Sequence, residues 1–85
     1  MYKNRASNGN CNLCGRRVAQ LRMEMSPRVS QRALADRLQL AGLDLDKNAV
    51  QRIESGQRFV TDIELRALAA VFGVTADELL REAAE

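Results

Sequence analysis

Histidine is absent from the 85 residues, which removes the side chain best suited to general acid–base work near neutral pH. There is no glycine-rich phosphate loop, and Asp and Glu fall mostly at caps, turns and outer helix faces. Neither an enzyme nor a cofactor is expected. Aromatic residues are scarce, with Tyr2, Phe59 and Phe72 the whole set, so a core must be built from Leu, Val, Ile and Ala. One proline and few β-branched runs lean the composition towards helices. No apolar run approaches the roughly 20 residues that cross a bilayer, and no segment looks like a signal peptide. The expected location is therefore the cytoplasm, without a membrane partner. Two cysteines, Cys11 and Cys14, are too few and too close to staple a secreted fold.

What is present is enough chain for one domain. Residues 1–13 are polar, contain Asn and Gly, and have no periodicity, so they read as a flexible N-terminal arm ahead of a domain over 14–85. Charge is divided unevenly. Residues 1–60 carry eleven Lys and Arg against five Asp and Glu, whereas residues 61–85 carry two against six. A basic first part suits a face laid on a polyanion, and ordinary solvated helix surfaces would give the same count.

Five short helices follow from periodicity, caps and breakers taken together. The first spans about 15–25, with Val18, Leu21 and Met25 inward and Pro27 setting a boundary. Ser30 caps the second, whose apolar side is Ala33, Leu34, Leu38 and Ala41, and Gly42 ends it. Asp46 caps a third helix over 47–55, with Val50 and Ile53 inward and Gly56 as its stop. Thr61 with Glu64 makes a capping box for a fourth helix, whose buried face is Ile63, Leu65, Leu68 and Phe72 before Gly73. Thr75 with Glu78 repeats the box for a fifth, carrying Leu79 and Leu80, with Val74 placed to pack on Leu79.

Two short helices joined by a tight connection can hold the second out from the body, so that its first residues reach base edges. On the third helix Lys47, Asn48 and Gln51 lie away from the Val50 and Ile53 stripe. Asn and Gln can pair with adenine, and Lys can reach guanine acceptors. Arg52 and Arg58 suit phosphate contacts, and Gln31 on the first turn of the second helix suits another. Exposed Lys, Asn, Gln and Arg on a small domain are also ordinary solvated surface, and spacing alone leaves both readings open.

Three ordered blocks carry a family resemblance: Ser30-Gln31-Arg32-Ala33-Leu34-Ala35, then Val50 to Gly56, then Leu68 to Leu80. Together they resemble the Cro/C1-type helix-turn-helix repressors over about residues 15–81. The resemblance implies an all-α, five-helix DNA-binding domain of the lambda-repressor-like kind, which binds operator DNA as a homodimer. It places Gln31 at a phosphate, Lys47, Asn48 and Gln51 at base-reading positions, Arg52 on the outward recognition face, and Arg58 in a backbone-gripping loop. It also implies an internal pair of Arg22 with Glu54, which assigns these two to structure. The stretch from Asp36 to Ala49 is several residues longer than the usual form, and the turn after Arg22 is slightly longer. Leu38-Gln39-Leu40-Ala41-Gly42 and Arg58-Phe59-Val60-Thr61-Asp62 resemble a bacterial subgroup with a lengthened connection between the second and third helices.

Cys11 and Cys14 have the spacing of half a zinc site, and a full site needs four ligands. Two chains sharing a site, a redox pair, and two unremarkable thiols are the readings, the last favoured, with Cys14 partly buried. The expected function is sequence-specific regulation of transcription on double-stranded DNA, as a repressor. The alternative is a protein-interaction or antitoxin-like module of the same fold, using the acidic residues 77–85.

Overall fold

The computed structural model describes residues 4–81. Residues 1–3 of the expected arm and 82–85 of the acidic tail lie outside the described residues. Five helices form a small all-α domain: α1 Gly15–Glu24, α2 Gln31–Leu40, α3 Lys47–Glu54, α4 Asp62–Phe72 and α5 Ala76–Leu80.

The starts are set by side chains that accept orphan backbone N–H groups. The Ser30 hydroxyl accepts from the Ala33 N–H at 3.0 Å, and the Asp46 carboxylate from the Ala49 N–H at 2.8 Å. Thr61 and Glu64 form the full reciprocal box at α4. At α5 the box is half made. Thr75 accepts from the Glu78 N–H at 3.1 Å, and the return bond from the Thr75 N–H to the Glu78 side chain is absent among the described residues.

The stops share one geometry. After α2, α3 and α4 the chain turns through a left-handed Gly42, Gly56 or Gly73. In each case the glycine N–H and the next N–H reach back to carbonyls of the last turn. α1 ends at Glu24, with Met25 already extended, and α3 ends at Glu54, with Ser55 as its cap.

α2 packs chiefly on α3, and α1 on α3, while α4 and α5 close the opposite side. The buried core joins Cys14, Val18, Leu34, Leu38, Val50, Ile53, Leu68 and Leu79 with Val29 and Leu45 from the connections. Leu65, Phe72 and Val74 pack against it. Two residues expected inside are outside: Ile63 is 68% exposed, and Ala41 is exposed beyond the last turn of α2. Leu80 on α5 is 41% exposed. Ile63 lies two residues from Leu65, and at 100° per residue that is roughly 200° around α4 from the Leu65, Leu68 and Phe72 stripe. Leu40 is related to Leu38 in the same way and is 90% exposed.

Candidate nucleic-acid interface

α3 has an inner and an outer side. Val50 and Ile53 are buried, and Lys47, Asn48, Gln51 and Arg52 are exposed. Among the described residues, the side chains of these four make no hydrogen bond or ion pair within the chain. Their donors and acceptors therefore face water uncommitted. The connection from Ala41 to Asp46 is fastened by Leu45, which is buried, and by the Gln39 amide donating to the Leu45 carbonyl at 2.9 Å. These contacts set Asp46 where it caps α3.

The far end of α3 is tied down. Arg22 on α1 donates through Nε to Glu54 Oε2 at 2.8 Å and through Nη2 to Oε1 at 3.0 Å. Its Nη1 donates to the Val29 carbonyl at 3.0 Å. The pair is largely shielded from water, and the hydrogen bonds to Glu54 push the Arg22 pKa above its already high ordinary value. Gln31 joins the same carboxylate, its amide donating to Glu54 Oε1 at 3.0 Å. Helices α1, α2 and α3 thus meet at one charged cluster.

A second clasp involves a residue that sequence reasoning placed in the arm. The Asn12 side-chain amide donates to the Ile53 carbonyl at 3.1 Å and the Arg58 carbonyl at 2.7 Å, and its oxygen accepts from the Gly15 N–H at 2.8 Å. The Cys11 N–H donates to the Gly56 carbonyl at 2.8 Å. Cys11 and Asn12 are therefore bonded to the end of α3 and the loop that follows it. Gly15 is required here, since a Cβ would run into the Ile53 carbonyl and lie 2.9 Å from Asn12 Oδ1. The start of α1 can approach the carbonyl end of α3 only without that carbon.

Arg58, in the loop after α3, forks onto Glu64, with Nη1 and Nη2 each 2.9 Å from a carboxylate oxygen. Nη1 also donates to the Phe59 carbonyl at 3.0 Å. These bonds hold the loop against the first turn of α4. The Arg58 guanidinium in turn holds the Glu64 carboxyl below the usual carboxylate range.

The cysteines differ from one another. Cys14 is buried in the core, not partly exposed, and burial pushes its thiol up to about 11. A thiol so disposed stays protonated at neutral pH and is a poor nucleophile or metal ligand. Cys11 is half-buried, and both are free thiols. Among the described residues no group of three or more His, Cys, Asp or Glu could hold a metal ion, and no helix is long and apolar enough to cross a membrane.

A family model described as a helix-turn-helix domain matches residues 14–83. The chain belongs to this helix-turn-helix family. No curated protein and no solved structure matches the chain. Within this helix-turn-helix domain the matched residues take in all five helices, both clasps on α3 except Cys11 and Asn12, and its exposed outer row.

Proposed function

We propose that the chain is a sequence-specific regulator of transcription that binds double-stranded DNA, acting as a repressor and as a homodimer. The observation that carries this reading is the outer row of α3. Four polar or cationic side chains with no partner among the described residues stand on a helix whose inner side and far end are both fixed. Lys47, Asn48 and Gln51 read base edges in the major groove, and Arg52 takes a phosphate. Gln31 keeps one amide N–H beyond its bond to Glu54 for a second phosphate at the start of α2. Arg58 has its Nε–H and one further N–H left for the backbone after holding Glu64. The longer connection between α2 and α3 fits the bacterial subgroup with that feature.

The test is selection of bound sequences from a random DNA pool, followed by titration of the selected site. A palindrome with half-sites about 34–36 Å apart, or a multiple of that, is the expected consensus. Binding should weaken steeply with salt. Gln51→Ala should lose about 1–3 kcal/mol of discrimination at one base position while keeping its salt slope. Full preference retained by Gln51→Ala would reject its base-reading role.

A protein-interaction, antitoxin-like role has one supporting observation: Leu80 is 41% exposed on the same short helix as the well-exposed Asp77. A stable protein complex alongside no salt-dependent DNA binding would favour it.

A further inference from the structure

The outward side of α4 is neither core nor part of the α3 reading row. Asp62, Ile63, Arg66 and Ala70 are all exposed along it, and their spacing puts them on one helix face. Phe59, 47% exposed, lies just before the helix, so two large apolar side chains sit within five residues. Asp62 and Arg66 flank Ile63, and neither has an ion-pair partner among the described residues. An opposite-signed pair four residues apart that stays unbridged has both charges to offer elsewhere.

We propose that this face docks on the same face of a second copy, about a two-fold axis passing near Ile63 and Glu64. A two-fold interface must be self-complementary, and this one is when the two α4 helices run antiparallel. Asp62 then meets the partner's Arg66, and Arg66 meets the partner's Asp62. Ile63 lies against the partner's Ile63 at the axis. Phe59 comes opposite the partner's Ala70, whose small side chain leaves room for the ring.

The longest extent of the domain, 38 Å of 38 × 30 × 19 Å, is of the order of the roughly 34–36 Å between half-sites on successive turns of DNA. Two copies so placed stand edge to edge. Phe59, Asp62, Ile63, Arg66 and Ala70 are few against the roughly 20–30 residues a side of a stable interface. The copies are therefore separate in dilute solution and join when DNA aligns them. The cooperative part of this inference rests on the DNA-binding reading above, whereas the contact itself does not.

The experiment pairs a DNA readout with one that needs no DNA. Full-length chain is titrated on DNA carrying one selected half-site or two inverted ones. Its self-association is followed separately by sedimentation at millimolar concentration. Asp62→Lys and Arg66→Glu should each lower cooperativity about tenfold, since each turns two attractive pairs repulsive. Single half-site affinity should change far less. Asp62→Lys with Arg66→Glu restores the pairing and should restore cooperativity, a rescue that misfolding would not give. Ile63→Ser should abolish weak self-association without DNA. If the wild type binds no DNA yet self-associates through Ile63, the DNA reading fails and the contact stands. If half-sites fill independently and the chain stays monomeric, or the double reversal fails to rescue, the proposal is overturned and the face is left to a different protein.

Discussion

The two ends of α3 are held in opposite ways. At its start the Asp46 carboxylate makes one bond to the Ala49 N–H, in the open, and the following side chains face water. At its finish, Glu54 receives Arg22 and Gln31, Asn12 ties the Ile53 carbonyl, and the Gly56 carbonyl accepts from Cys11. A helix fixed at its C-terminal end and along its inner side presents its first two turns at a defined angle without spending their polar groups on the fold. Fixed contacts and free polar groups are separated along one helix of eight residues.

Cutting the fixed end should cost most. Glu54→Ala leaves the Arg22 guanidinium largely shielded and without its carboxylate, and removes the acceptor for Gln31. A loss of about 3 kcal/mol is expected, at the low end for a broken buried pair because some water reaches it. The equivalent cut at the open end, Asp46→Ala, removes one exposed cap and should cost about 1 kcal/mol. Urea unfolding of both variants measures the contrast. Equal losses would show that the two ends bear on stability alike, against the asymmetry drawn from the bonds.

Asn12→Ala comes next. It strips two carbonyls and one N–H of their partner at a partly buried junction, for an expected loss of about 2 kcal/mol. Hydrogen exchange adds a readout of place: amides in the last turn of α3 should exchange faster, while the Ala49 amide at the other end should not. Uniform acceleration would mean that Asn12 supports the whole domain and not this end of α3.

The same asymmetry governed what could be read from the chain. The open end of α3 is local. Asp46, the Val50 and Ile53 stripe and Gly56 lie within one short stretch, so cap, period and stop are visible in order. The other starts and stops, Ser30, Thr61, Gly42 and Gly73, are legible for the same reason. The fixed end is built from residues far apart. Asn12 bonds to Ile53 and Arg58 from 41 and 46 positions away, in a lead-in with no periodicity to mark it. The Arg22 and Glu54 pair came from family resemblance, not from spacing. Nothing local reveals that the Gln31 amide also reaches Glu54, 23 positions away. Val29 and Leu45 entered the core from connections, where helical period gives no guidance. Ile63 was set inside because it is apolar, although its angle on α4 points it out. The outer row of α3 is legible as exposed, because its spacing from Val50 and Ile53 is local.

The smallest expected effect belongs to the loop that leaves the fixed end. Arg58 grips Glu64, and the hydrogen bonds from the Arg58 guanidinium, with help from Thr61, hold that carboxyl below its ordinary value in the folded chain. A carboxyl depressed on folding adds stability above its unfolded pKa, and that share fades as pH falls towards the folded value. The window therefore opens near the ordinary carboxylate pKa of about 4.3 and extends downward. Glu64→Gln keeps the side chain's shape and an acceptor for the Thr61 N–H but cannot titrate. Its stability should fall less than that of the wild type between about pH 5 and pH 3, with the two chains differing by a pH-independent amount near neutrality. Urea midpoints measured across that range decide the matter. Parallel acid limbs would mean that Arg58 is not bonded to a carboxylate in solution. The loop would then hang from Cys11 and Asn12, and the end of α3 would be fixed by two clasps on its own carbonyls and carboxylate with no brace from α4.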